Sequence, residues 1–309
     1  MTQGQGNQKM TKQKRFFQNI IAMIYDFDGT LSPQPMQEYT VLPKLRVSPK
    51  AFWDEVSKES RDTVSEGMLV YMRLLLKKAE SAETHIGRKD LKRMGNAIRY
   101  FPGVEGWFGR INKFVKNVGR GKVKIRHYII SAGLNEILEG ASIGRHFERV
   151  YASEYHFDHH DRATFPKVLI TDTAKTQYLF RINKGMEDLA QSINDHMPEA
   201  LRPIPFSNIV YIGDGITDVP SMAVTKSNGG NTIAVYRMGD RKGKQVCENL
   251  LEVGRAHFIA KADYREGTEL DKRVKLLLRS VIANIEYQRE RFDCRKAHGL
   301  MRSSTKNTR

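Results

Sequence analysis

The apolar run Ile20-Ile21-Ala22-Met23-Ile24-Tyr25 stops against Asp26-Phe27-Asp28-Gly29-Thr30, and this junction constrains the fold more tightly than any other stretch. A short continuous run of this kind reads as a buried β-strand. Two carboxylates one residue apart contribute nothing to a core. Strand alternation points Asp26 and Asp28 the same way, roughly 7 Å apart if the chain stays extended. Their repulsion calls for a hard cation such as Mg²⁺, or for a proton on one of them.

A second buried run, 208–213, ends in Asp214-Gly215-Ile216-Thr217-Asp218, and a third, Tyr128-Ile129-Ile130, ends in Ser131-Ala132-Gly133. Ligands of open α/β sheets collect at such strand ends. Further strands are expected at 124–131, 149–153, 232–237 and 257–262. A β-hairpin is expected within 155–173, around the polar turn His159-His160-Asp161-Arg162. Helical spacing marks 104–118, 134–138, 176–182 and 187–195. This alternation predicts a doubly wound, mainly parallel, Rossmann-like α/β sheet.

Between residues 48 and 99 the pattern is helical throughout. Ser48-Pro49 opens a helix, Phe52, Val56, Val64, Met68, Tyr71 and Leu75 supply its periodicity, and Asp90 caps a later helix through Leu91, Met94 and Ile98. Tyr100-Phe101-Pro102-Gly103 then restarts the α/β alternation.

No stretch reaches the eighteen consecutive apolar residues of a membrane span. Residues 1–15 lack the apolar segment of a secretion signal. Two cysteines, Cys247 and Cys294, are too few for a disulfide framework or a zinc site. The cytoplasm is the expected compartment. The histidines at 156, 159 and 160 with Asp158 run through strand and turn, and read as a solvated turn rather than a metal site. The net charge of +16 is concentrated at the ends: Lys9, Lys12, Lys14 and Arg15 lie in 1–15, and residues 289–309 hold seven basic and two acidic side chains. Basic tails can bind nucleic acid without sequence readout, but no nucleic-acid-binding motif accompanies these.

In order, the first acidic strand end, the serine strand end, a lysine within 175–185 and the second acidic strand end resemble the haloacid dehalogenase (HAD) superfamily of phosphohydrolases, over roughly residues 20–275. The resemblance is to its phosphoserine-phosphatase-like branch, and implies an HAD-like core at 19–47 and 100–285 with a helical cap at 48–99; the charge pattern leaves basic tails at 1–18 and 286–309. It implies a Mg²⁺-dependent phosphatase acting on a small phosphorylated substrate. Asp26 would be the nucleophile, forming an aspartyl-phosphate, and Asp28 the general acid and base. Asp26, Asp214, the Asp28 carbonyl and, directly or through water, Asp218 would hold the ion. Ser131, the amides of Ala132 and Gly133 at a helix start, and Lys184 in preference to Lys175 would hold the phosphoryl group. A calcium loop is ruled out, because Leu31-Ser32-Pro33 follows the glycine where further acids are needed. Transfer of the phosphoryl group to an alcohol is an alternative to hydrolysis, and action on nucleic-acid ends through the tails is another.

Overall fold

The computed structural model describes residues 15–300. Strands β1 (Ile20–Tyr25), β2 (Lys124–Leu134), β3 (Arg149–Phe157), β4 (Ala163–Val168), β5 (Ile209–Gly213), β6 (Asn231–Tyr236) and β7 (Phe258–Lys261) form one sheet in the order β4-β3-β2-β1-β5-β6-β7. All neighbours are parallel except β3 and β4, which make the expected hairpin. Helices α1 (Met36–Tyr39), α2 (Val41–Lys44), α3 (Pro49–Thr63), α4 (Gly67–Ser81), α5 (Arg88–Met94) and α6 (Val104–Val118) lie between β1 and β2. They are followed by α7 (Asn135–Leu138), α8 (Lys175–Lys184), α9 (Val219–Ser227), α10 (Arg241–Glu252) and α11 (Glu269–Ala297).

The sheet is covered on both faces, as its continuous apolar runs require. Along β1, Ile21, Met23 and Tyr25 join Trp107 and Phe108 of α6 and Val274 and Leu278 of α11. Ala22 and Ile24 face Tyr178 and Leu179 of α8, Met222 of α9 and Leu250 of α10. Register then aligns the strand ends. Tyr25 sits opposite Ile129 of β2 and Ile212 of β5, so one step further along each strand brings Asp26, Ile130-Ser131 and Gly213-Asp214 to one edge.

The helical segment after β1 is not a separate globule. Phe52 and Val56 of α3 and Val70, Tyr71, Leu74 and Leu75 of α4 belong to the same buried cluster as Ile21 and Trp107. Pro49 occupies the first turn of α3, and Val64 ends it in a left-handed conformation (φ 52°). Asp90 lies inside the first turn of α5, whose N-terminal flank is Gly87, so it is not the cap. Its carboxylate instead pairs with Arg93 at 2.5 Å.

Several expectations need correction. Residues 187–195 form no helix. Gly185 ends α8 with φ 65°, and the chain beyond folds around two cations. The Arg181 guanidinium donates to the carbonyls of Met186, Asp188, Leu189 and Gln191, and the Lys184 ammonium to those of Ile193 and Asp195. Carbonyls satisfied this way do not need a helix. Strand β3 runs unbroken to Phe157, because its hairpin partner β4 extends it. The C-terminal tail expected from residue 286 starts only after α11, which continues to Ala297. Phe292 packs on Phe16 with ring centroids 6.0 Å apart, and Arg289 donates to the Lys122 carbonyl (2.8 Å). Of the N-terminal tail expected at 1–18, residues 1–14 lie outside the described residues. Gln18 is docked, donating to the carbonyls of Glu199 and Arg202. Residues 301–309 also lie outside. Among the described residues no helix is long and apolar enough to cross a membrane.

Candidate active site

Beyond β1 the chain turns on a single acceptor: the Phe27 carbonyl receives the amides of Thr30, Leu31 and Ser32. Gly29 makes this turn possible. Its φ is +80°, and a Cβ there would stand 2.0 Å from Asp214 Oδ2, so only glycine lets the two acidic loops approach this closely. The turn swings Asp28 toward α1, whose first amide, Met36 N, donates to Asp28 Oδ1 at 2.9 Å. Asp26 stays in line with its strand, with its amide on the Ile212 carbonyl of β5 (3.0 Å).

The cation beside Asp26 is Lys175, at the first turn of α8. Its ammonium, 1% exposed, donates to Asp26 Oδ1 (2.9 Å) and to Asp218 Oδ1 (2.8 Å). Lys184, the lysine preferred from sequence, lies nine residues on, about 14 Å along the helix, where it holds the 187–195 loop. The preference is therefore corrected to Lys175. It rested on a helix at 187–195 leading into β5. Without that helix, α8 is the last long helix before β5, and the lysine at its start is the one delivered to the sheet edge.

Asp218 is fully buried and its carboxylate is fully engaged. Oδ1 accepts from Lys175 and from Tyr211 Oη (2.7 Å), and Oδ2 from the Asp214 amide (3.1 Å). Carboxylate oxygens of Asp26, Asp214 and Asp218 all lie within 4.8 Å of one another. Ser131 is buried, and its Oγ accepts the Gly133 amide (3.0 Å). The expectation of a helix start at Ala132-Gly133 is corrected. β2 runs on to Leu134, α7 begins only at Asn135, and the Gly133 amide is spent on Ser131. The hydroxyl proton of Ser131 remains available as a donor.

One cation among four carboxylates leaves negative charge in excess. Burial pushes the Asp26 carboxyl up to about 6, against the pull of Lys175. Burial and the neighbouring Asp26 hold Asp28 well above the usual carboxylate range, against the Met36 amide. Asp214 is raised likewise by burial, Asp26 and Asp218. Lys175 is held protonated by Asp218 and Asp26 despite its burial. An oxygen-only donor set with surplus negative charge suits a hard divalent cation.

The profile of haloacid dehalogenase-like hydrolases matches residues 23–223, which span all of these groups. The chain belongs to that family. This HAD hydrolase is 30% identical over 278 residues to an uncharacterized protein of Borreliella burgdorferi, covering 82% of this chain and 94% of that one. Its fold is similar to that of a HAD family hydrolase from Salmonella enterica serovar Typhi (TM-score 0.54, 13% identity, 84% of this chain and 71% of that one). It is also similar to a probable phosphoserine phosphatase from Vibrio cholerae (TM-score 0.54, 11% identity, 89% and 68%).

Sequence reasoning missed two features of the HAD site. Tyr211 points its hydroxyl out of β5 into the Lys175–Asp218 pair, but within an apolar run it looks like core. Gln37, buried beside the Asp28 loop, has its side-chain oxygen unpaired. The histidine turn is as expected: Asp158 Oδ1 accepts the amides of His160 and Arg162 at the exposed end of the hairpin.

Proposed function

We propose that this HAD hydrolase is a Mg²⁺-dependent phosphatase that opens phosphate monoesters through an aspartyl-phosphate on Asp26. The observation that carries the reading is the Asp26 carboxylate, fixed through Oδ1 by Lys175, with a carboxylate oxygen of Asp214 within 4.8 Å of it and Asp28 two residues on in the same loop. A carboxylate anchored at one oxygen presents the other to phosphorus. Lys175 stays protonated and offsets charge on the nucleophile and on the phosphoryl oxygens. The Ser131 hydroxyl donates to one of those oxygens.

Burial and the neighbouring Asp26 raise the Asp28 carboxyl well above the usual carboxylate range, which favours the protonated form a general acid needs. Asp28 donates that proton to the departing alkoxide and then, as carboxylate, takes one from the water that attacks the intermediate. Asp26 and Asp214, with the Asp28 carbonyl, would hold Mg²⁺, and Asp218 would orient Lys175 and the Asp214 backbone beside it. The ion supplies charge neutralisation for the phosphoryl group when bound. The helices 49–97 serve as a cap over this edge, and a small phosphorylated metabolite is the substrate.

The test is hydrolysis of p-nitrophenyl phosphate with Mg²⁺ and with EDTA, alongside mass spectra of acid-quenched enzyme. Covalent phosphate on Asp26 and loss of turnover in EDTA are expected. Asp26→Asn should be inactive and unlabelled, and Asp28→Asn slower by roughly 10²–10⁴. Turnover by Asp26→Asn above about a hundredth of the native rate would rule out covalent catalysis there.

A further inference from the structure

Strand β5, Ile209-Val210-Tyr211-Ile212-Gly213, is apolar throughout except for one hydroxyl. Tyr211 belongs to the buried cluster of Ala22 and Ile24 of β1, Leu179 of α8 and Met222 of α9. It therefore faces the two helices whose N-terminal ends carry Lys175 and Asp218. Gly213, two residues on, shares that face. A Cβ at Gly213 would stand 2.1 Å from Asp218 Oδ2, so the glycine leaves the space that the Asp218 carboxylate fills. Tyr211 reaches the same carboxylate with its hydroxyl, at 2.7 Å.

Asp218 Oδ1 thus has two donors, Tyr211 Oη and Lys175 Nζ (2.8 Å). Among the described residues the Tyr211 hydroxyl makes no other hydrogen bond. The Lys175 ammonium carries three N–H groups. Two lie on Asp218 Oδ1 and Asp26 Oδ1, at 2.8 and 2.9 Å, and the third is uncommitted. An ammonium on a flexible stem has no fork geometry of its own, so its acceptors decide where that third donor points. Packing alone does not call for the hydroxyl. Phenylalanine would fill the same space, and a buried hydroxyl is unfavourable unless it is bonded.

We propose that Tyr211 is a positioning residue of the phosphatase reaction, holding the Asp218 carboxylate so that Lys175 stays shared between Asp218 and the nucleophile. The inference rests on the phosphatase reading. With two donors on Oδ1, part of the Asp218 charge is answered by the hydroxyl, and Lys175 sits at nearly equal distances from both carboxylates. Without the hydroxyl, Lys175 alone answers Oδ1 and is drawn toward Asp218. Asp26 Oδ1 then loses its anchor, and the third N–H turns away from the phosphoryl oxygen it serves in the transition state. The hydroxyl acts through Asp218 and Lys175. The loss therefore falls on attack at phosphorus, not on protonation of the leaving oxygen by Asp28.

The test is Tyr211→Phe in the full-length protein with Mg²⁺, its fold checked by melting. The variant keeps the ring and loses one oxygen. Its kcat for p-nitrophenyl phosphate should fall about tenfold, the worth of a hydrogen bond to a charged group, with KM within about twofold of native. 2-Hydroxyethyl phosphate, whose leaving group needs the Asp28 proton far more, should lose the same factor. In a Lys175→Met background Tyr211→Phe should cost less than about twofold more, because a residue that acts through another has nothing left to act on. Where turnover in that background is too slow to follow, the rate of covalent labelling in acid-quenched enzyme gives the same comparison. Native kcat in Tyr211→Phe, a loss carried by KM, unequal losses for the two esters, or losses that multiply in the double variant would each overturn the inference and leave the phosphatase reading standing. A native protein that hydrolyses no phosphate ester would end both.

Discussion

Lys175 and Lys184 occupy opposite ends of one helix and do different work. Lys175→Met removes the only cation hydrogen-bonded to Asp26 among the described residues, and should lower kcat by about 10²-fold or more. Lys184→Met should leave kcat within about twofold and cost about 1–2 kcal/mol, because two loop carbonyls lose their donor. Steady-state kinetics and urea melts of the pair would separate the roles; equal losses of kcat would contradict the assignment. The four aspartates and Ser131 were legible because strand ends announce them. The lysine was not, since helical periodicity at 187–195 is shared by a loop whose carbonyls are satisfied by Arg181 and Lys184. Glu136 gives a pH signature. Its carboxyl is raised from 4.5 to about 7 by burial, so the folded state binds the proton more tightly than the unfolded chain. That advantage is present below about pH 4.5 and is lost as pH rises through about 7. Tm should fall across this window, more shallowly in Glu136→Gln by on the order of a few degrees. Asp26 acts in the same direction with its value of about 6, which is why only the difference between the two proteins is diagnostic. Parallel Tm profiles would show that Glu136 titrates freely.

At the scale of elements, the site is a meeting of two loops that follow neighbouring strands, and glycine sets their separation. Gly29→Ala must adopt a left-handed backbone and also push its Cβ into Asp214. A loss of about 1–3 kcal/mol is expected from the backbone alone, with catalysis falling further because Asp214 is displaced. Retention of native kinetics would mean the two loops adjust independently. The helical stretch between β1 and β2 was readable from its spacing, as was α6, whose bounds at Val104–Val118 match the expectation. Where β3 would end was not readable, because its length is set by a partner strand rather than by its own residues.

For the whole molecule, the ends matter in different measure. Truncation after residue 297 removes part of the basic excess and, of the described contacts of α11, only the backbone bonds from His298, Gly299 and Leu300 to its last turn, and should leave Tm nearly unchanged. Truncation after residue 285 also removes Phe292 from Phe16 and Arg289 from Lys122. It should lower Tm by about 4 °C or more, the effect of losing on the order of 1–2 kcal/mol in a chain of this size. Equal melting of the two truncations would make the last three turns of α11 dispensable. Charge composition suggested a tail here because α11 carries its basic residues outward along a face that periodicity alone does not anchor.

The position of β1 in the sheet bears on how the chain is made. It is the central strand, apolar on both faces, and it is synthesised before all the others. Its partner β2 begins about a hundred residues later, and β5 more than 180 residues later. At about 5–20 residues per second, a ribosome leaves β1 with both edges bare for roughly 5–20 s before its first neighbour exists. Through that interval the nascent chain exposes the segment best suited to pair with another copy of itself. The strand that carries the proposed nucleophile, Asp26, is therefore also the one most in need of a chaperone during translation.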